Sequence, residues 1–253
     1  MATTTDTRLP HERYLELLRH DTALLARAAA RDLAAPVPYC DGWSARDLVV
    51  HAGRVWGQKA TVISDRWPPG ADQPPNPELP GGSDDALAWY EKQRQRLLDA
   101  FAGASADERV WTWADEPTVR FWARRMAQEA LVHRIDAEAA IGAVSACDSD
   151  LVLDGIDEVL GTFLTNAPWR TPPGGTGDVV RFVSAGHEWH STLGYDAIGF
   201  ARGPGPPPAA TVGAEPLPLL LWVWGRAPDD TVRVEGDRAA VARLVTLLRQ
   251  ATQ

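Results

Sequence analysis

The sequence predicts an α+β protein in which a four-helix bundle is followed by a small α+β domain. Two observations indicate this. Apolar residues recur at helical spacing through the first part of the chain, whereas the last part contains short apolar runs separated by glycine and proline. The segment PWRTPPGGTG at 168–177 has the composition of a linker. We therefore expect a bundle over 1–167 and a second domain over 178–253.

Four long helices and one long connection make up the predicted bundle. The helices are expected at 9–34, from Ser44 to about 64, at roughly 83–102 and at about 118–141. Ser44 and Asp47 have the spacing of an N-terminal capping box, and Ser83 or Asp84 can cap the third helix. The connection 66–82 is rich in proline and glycine, and long irregular connections of this kind are often functional.

The remainder of the chain predicts a shorter helix and then a sheet. The helix is expected near 149–166 and would extend from the bundle. Apolar runs bounded by turn residues predict strands at 178–185, 188–193, 197–201, 210–212 and 231–235. Residues 217–224 are compatible with either a helix or a buried strand, and a last helix is expected to reach about residue 250.

Composition excludes several classes of protein. Hydrophobic residues make up 45% of the 253 residues, enough for a core, and the formal net charge of −9 opposes binding to nucleic acid or anionic lipid. The sequence shows no apolar run long enough to span a bilayer and no apolar signal-peptide core. Cys40 and Cys147 lie in no CxxC pattern, which indicates two reduced thiols. We expect a soluble, cytoplasmic protein.

Three residues form a candidate metal site. Glu129 and His133 are four apart in a predicted helix, so their side chains share one face. His51 lies on the same stripe as Leu48 and Val55 and is expected to point into the bundle. Imidazole nitrogen and carboxylate oxygen together suit a divalent metal such as zinc. The spacing leaves two alternatives open: a surface Glu–His hydrogen bond, and a core histidine satisfied by another polar group.

Longer motifs around these residues resemble those of the mycothiol-dependent maleylpyruvate isomerase family, whose N-terminal part is a DinB-like metal-binding four-helix bundle. The likeness spans about residues 10 to 250. The motifs that carry it are Trp43-Ser44-x-x-Asp47-Leu48-x-x-His51, Arg125-Met126-x-x-Glu129-x-x-x-His133-Arg134-x-Asp136-Ala137-Glu138, Asp154-Gly155-Ile156-Asp157-Glu158, Leu220-Leu221-Trp222-Val223-Trp224-Gly225-Arg226 and Val234-Glu235-Gly236-Asp237.

The resemblance implies a metal site and a reaction. It implies that His51, Glu129 and His133 hold a divalent ion, with zinc expected, and that mycothiol is the thiol cosubstrate. Three protein ligands leave a position open, as in catalytic zinc sites. The implied activity is a mycothiol-dependent isomerase or transferase. In the isomerase, the thiolate adds to a cis-enedioic acid, the resulting single bond rotates, and elimination gives the trans isomer.

Other polar residues have a functional and a plain interpretation. By the resemblance, Arg226 is the catalytic candidate, since it could bind a carboxylate of thiol or substrate; the alternative is a surface arginine. Arg124 and Arg125 are expected to be solvated, with at least one pointing outward. Asp136 could orient His133 or could be an exposed charge. The pair His187 and His190, in a strand or turn, is not expected to bind a metal.

The expected partners are a small-molecule substrate and a low-molecular-weight thiol, with no nucleic acid and no membrane, and the chain is expected to be a monomer or weak dimer. Two further hypotheses stay open. One is a pathway-specific metalloenzyme that acts on a natural-product scaffold without a thiol. The other is a non-catalytic metal-containing sensor or binding protein, which a fourth protein ligand would favour.

Overall fold

A computed structural model describes residues 6–79, 85–166 and 175–252. The chain forms two compact units, one made of Leu9–Ala146 and the other of Cys147–Gln253 together with Met1–Arg8. The first contains the four-helix bundle and the second the α+β region, which confirms the predicted fold class. Within the described ranges, every helix is too short or too polar to cross a bilayer.

The bundle consists of four helices that pack in pairs. Helix α1 packs along α4, helix α2 packs along α3, and α2 also contacts α4. The last of these contacts matters most, because it brings the histidine of α2 opposite the ligand candidates of α4. The four helices are α1 (His11–Ala29), α2 (Ala45–Ser64), α3 (Ala86–Ala102) and α4 (Val119–Ala140).

Local sequence signals explain how these helices begin and end. Ser44 and Asp47 form the predicted capping box of α2, with the Asp47 carboxylate accepting from the Ser44 backbone N–H at 2.9 Å. Helix α1 ends earlier than predicted, because the Asp32 carboxylate accepts from the backbone N–H of Ala34 at 2.9 Å and begins a turn. Asp85 caps α3; the predicted caps Ser83 and Asp84 lie outside the described residues.

The proline-rich connection after α2 packs back onto that helix. Gln58 Nε2 donates to the carbonyl oxygen of Pro74 at 2.7 Å. At Gly57, an added Cβ would lie 2.5 Å from both Pro77 Cγ and Gln93 Oε1, so only glycine fits between the loop and α3. The described part of this connection, 66–79, is therefore attached to the bundle by specific contacts.

The second unit contains helices on a five-stranded mixed sheet. Its strands are β1 (Val179–Ser184), β2 (His187–Leu193), β3 (Ile198–Arg202), β4 (Ala210–Gly213) and β5 (Arg233–Gly236). The strand order is β3-β2-β1-β4-β5, and only β1 and β4 are parallel. Helix α5 (Ser149–Glu158) continues through a π-helical turn (Val159–Phe163) into α6 (Leu164–Asn166), and α7 (Pro216–Val223) and α8 (Arg238–Ala251) complete the unit.

Two features of this unit differ from the prediction or go beyond it. Helix α5 was expected to belong with the bundle, but it groups with the second unit, where it packs against α7. The division of the chain thus precedes α5; residues 167–174, which include most of the predicted linker, are outside the described residues. The ambiguous segment 217–224 lies in helix α7 up to Val223, with Trp224 as the C-cap, and the helix begins at Pro216, a favourable position for proline.

Candidate metal centre

The packing of α2 against α4 brings the three predicted ligands together. His51 Nε2 lies 3.5 Å from Glu129 Oε1, and His133 Nε2 lies 3.2 Å from the same oxygen. The centroids of the two imidazole rings are 5.0 Å apart. One donor atom from each residue falls within 4.8 Å of the other two, so the three side chains could hold a single metal ion.

The donor set suits a borderline divalent metal. Two imidazole nitrogens and one carboxylate oxygen form the ligand set of many catalytic zinc sites, in which a further position stays open. Among the residues that the structure describes, no fourth histidine, cysteine or carboxylate joins the group. The side chain of His51 is 36% exposed and that of Glu129 is 17% exposed, so the ligand group is partly open to solvent. This arrangement fits a metal ion whose remaining coordination position is filled by a ligand from solution.

Asp136 orients one of the imidazoles. Its Oδ2 lies 2.9 Å from Nδ1 of His133, and the residue is fully buried. A carboxylate at this position accepts from the Nδ1–H and leaves the Nε2 lone pair directed at the site. Of the two roles considered for Asp136, the structure supports the orienting one. Cys40 Sγ lies 3.8 Å from the same carboxylate oxygen.

Arg125 holds the other oxygen of the ligand carboxylate. Its Nη2 donates to Glu129 Oε2 at 2.7 Å, which leaves Oε1 as the oxygen nearest the two histidines. Arg125 is 3% exposed and Arg124 is 5% exposed. The expectation that both are solvated, with at least one pointing outward, is therefore wrong. Helix α4 is buried on most of its faces, which the amphipathic pattern of a single helix cannot show.

In the metal-free site, neighbouring charged groups shift the pKa values of His133 and Glu129. Burial opposes protonation of His133, but the carboxylates of Glu129 and Asp136 outweigh it and raise the pKa of His133 to about 9. Burial likewise opposes ionisation of Glu129, yet the neighbouring His133, His51 and Arg125 hold the pKa of that carboxyl well below its usual range. A metal binding here at neutral pH would thus replace a proton on His133.

Lys59 is a buried cation whose position the sequence only partly revealed. It follows His51 by eight residues along the same stripe of α2 and is 7% exposed. Its ammonium lies 4.5 Å from the ring centroid of Trp122 and 5.4 Å from that of Trp111. Burial lowers the pKa of Lys59 to about 8, although the Glu129 carboxylate opposes the shift. Helical spacing indicates the stripe, but not the burial or the aromatic neighbours.

The remaining candidates lie in the second unit. Arg226 follows α7 and is half-buried; its Nη1 donates to the carbonyl oxygen of Trp224 at 3.2 Å, and its guanidinium lies 5.5 Å from that ring. Its predicted catalytic role stays a prediction. His187 and His190 are three residues apart in β2, so their side chains leave opposite faces of the sheet. The metal-binding group found among the described residues does not include them.

A family model covers the part of the chain that holds the candidate site. Residues 14–138 match the model described as "Mycothiol maleylpyruvate isomerase N-terminal domain". This interval contains His51, Glu129, His133 and the orienting Asp136. No curated protein matches the chain in sequence.

Solved structures share the fold. The chain resembles the "Crystal structure of the mycothiol-dependent maleylpyruvate isomerase" with a TM-score of 0.55 and 16% sequence identity, over 90% of this chain and 93% of that chain. A histidine-to-alanine mutant of that protein matches with the same values. At this identity the likeness shows the fold alone. Residues 14–138 thus form a DinB-like helix bundle of the mycothiol maleylpyruvate isomerase N-terminal domain type.

Proposed function

We propose that this protein is a metal-dependent thiol transferase or thiol-assisted cis/trans isomerase that uses mycothiol at an open zinc position. The observation that carries the proposal is the convergence of His51, Glu129 and His133 without a fourth protein donor in the described parts of the chain. The matched domain family and the name of the similar solved structure support mycothiol as the thiol. A small organic molecule is the proposed second partner.

The residues of the chain prepare the site for a charged ligand. Two neutral imidazoles and one carboxylate leave a bound divalent ion with net positive charge. When bound, such an ion lowers the pKa of a coordinating thiol, so that the thiol is present as thiolate near neutral pH. Asp136 keeps His133 in the tautomer that can ligate, at 2.9 Å. Arg125 occupies the second oxygen of Glu129 and so presents the first.

Arg226 is proposed as the residue that binds a carboxylate of the thiol or the substrate. A guanidinium can donate two parallel hydrogen bonds to a carboxylate, which fixes both position and orientation. The stacking of Arg226 on Trp224 limits the motion of its side chain. Support for this role comes from the resemblance of the surrounding motif, which ends Trp224-Gly225-Arg226.

Cobalt substitution tests the proposal directly. Protein loaded with Co²⁺ should develop a sulfur-to-metal charge-transfer band when mycothiol is added, and conversion of maleylpyruvate should depend on that thiol. His51→Ala should lose both properties, whereas the matched control His187→Ala, in strand β2, should keep them. If no band forms and mycothiol changes no reaction, the thiol role is wrong. A natural-product metalloenzyme without thiol, or a metal-containing sensor, would then explain the site better.

A further inference from the structure

One face of α2 bears two polar residues: His51 at the candidate metal position and Lys59 about two turns further along, in the buried interior. His51, Val55 and Lys59 follow one another at four-residue intervals, so they share this face. His51 and Val55 are partly exposed, whereas Ala52 and Trp56, on the neighbouring faces, are fully buried. The row is therefore partly open at His51 and Val55 and buried at Lys59, which is 7% exposed. Eight residues correspond to about 12 Å of helical rise, and a lysine side chain leans toward the helix N-terminus, here toward His51.

The ammonium of Lys59 differs from the guanidinium of Arg125 in having no carboxylate in direct contact among the described residues, although the Glu129 carboxylate attracts it from a greater distance. Arg125 pairs with Glu129 at 2.7 Å. Among the described residues, no carboxylate lies within 4.0 Å of Lys59 Nζ, and its hydrogen-bond acceptor is the neutral Gln58 Oε1. An ammonium has three donors, and a buried cation that no carboxylate contacts directly is costly. The site thus contains a positive charge that an incoming anion would neutralise.

Rigid groups hold this ammonium in place. Gln58, which accepts from it, is itself tied to the carbonyl oxygen of Pro74 at 2.7 Å. Trp111 and Trp122 stack with their centroids 5.8 Å apart, and Trp122 Nε1 donates to the carbonyl oxygen of Trp111 at 2.7 Å. Two aromatic rings and an anchored amide therefore position the charge before any ligand arrives, which reduces the cost of binding.

We propose that Lys59 binds a carboxylate of the small organic substrate that meets the thiol at the metal position. The inference rests on the proposed function only for the thiol at the metal. It adds a specificity: the protein should prefer acidic ligands to neutral ones of the same size. A mercapto acid joins the two groups in one molecule, so its sulfur can occupy the metal position while its carboxylate meets the lysine.

Mercapto acids of increasing length provide the test. Cobalt-loaded protein is titrated at pH 7 with 3-mercaptopropionate, 4-mercaptobutyrate and the neutral 2-mercaptoethanol, and the charge-transfer band reports binding. At least one acid should bind about 10-fold or more tightly than the neutral thiol, the effect of a charge-assisted hydrogen bond. Lys59→Met should reduce the preference to less than about 2-fold, and Lys59→Arg should largely restore it.

Controls separate this inference from the proposed function. Lys92→Met removes the only other lysine, an exposed residue of α3, and should leave the preference unchanged. Metal content must stay the same in all variants. If Lys59→Met does not fold, Gln58→Glu places a carboxylate against the ammonium and should abolish the preference in the same way.

A second measurement does not depend on thiol binding. Calorimetry with glutarate and zinc-loaded protein should show weaker binding to Lys59→Met than to the parent, even if no thiol produces a band. Suppose that no thiol produces a band but glutarate binding still depends on Lys59. That result would contradict the proposed function and support Lys59 as a carboxylate-binding residue. Equal affinities of parent and Lys59→Met for the mercapto acids and for glutarate would overturn the inference.

Discussion

Asp136 Oδ2 lies 2.9 Å from His133 Nδ1, and this buried hydrogen bond sets the direction of one candidate ligand. The two residues are three apart on α4, so one helical turn supplies both the ligand and the group that orients it. A histidine held in this way loses little rotational freedom when it binds a metal, and its Nε2 keeps the lone pair that coordination requires.

Replacement of the orienting carboxylate should weaken metal binding without removing a ligand. We expect Asp136→Asn to lower zinc affinity about 10- to 100-fold, because the amide no longer fixes the tautomer of His133 with a negative charge. Competition with a chromogenic chelator measures the affinity. Asp150→Asn, an exposed position in α5, is the control and should have no effect. Equal affinities for parent and Asp136→Asn would show that the hydrogen bond is only structural.

Removal of a ligand should abolish binding rather than weaken it. The parent should contain about one divalent ion per chain, the stoichiometry of a site with a single cluster of donors. His51→Ala and His133→Ala should contain almost none, because two protein ligands hold zinc poorly. Elemental analysis after dialysis gives the content, with His187→Ala as the control. Unchanged content in both ligand variants would disprove the site.

Arg226 should affect catalysis and not the metal. Arg226→Ala should lower kcat/KM for the thiol or the organic substrate by about 10-fold or more, the loss of a charge-assisted hydrogen bond. Metal content should remain that of the parent, since the ligand candidates lie on α2 and α4. Arg233→Ala, an exposed arginine of the same unit, is the matched control. Kinetics equal to the parent would identify Arg226 as a surface charge.

The protonation of His133 predicts opposite pH trends for metal binding and for the metal-free fold. Its pKa in the folded, metal-free protein is raised from 6.5 to about 9, so at pH 7 a metal must displace one proton. Zinc affinity should rise with pH until about 9, by about tenfold per unit for one proton. Calorimetry in buffers of different ionisation enthalpy counts the proton released.

The stability of the metal-free protein should change in the other direction. A raised folded-state pKa means that the contribution of the protonated imidazole is fully present below pH 6.5 and is lost as pH rises to about 9. Chemical denaturation of metal-free protein across this range measures the loss. Metal-free His133→Ala should lack this part of the pH dependence; an identical profile in the variant would assign it to another group.

The sequence by itself determined the local elements and the composition of the candidate site. The capping box of Ser44 and Asp47 located the start of α2, because both partners lie within one turn of chain. The four-residue spacing of Glu129 and His133 placed both side chains on one face, since helix geometry is the same in every context. These interactions depend on near neighbours, so the pattern of residue types is enough to predict them.

Only the tertiary structure decided which charges are buried and what each one contacts. The sequence favoured a solvated Arg125, left Asp136 with two possible roles and did not show which groups surround Lys59. All three outcomes depend on which segments pack beside α2 and α4. The same holds for α5, which the sequence predicted as a helix but whose partner α7 lies far along the chain. Periodicity shows that a face is buried, whereas the identity of the burying residues comes from long-range packing.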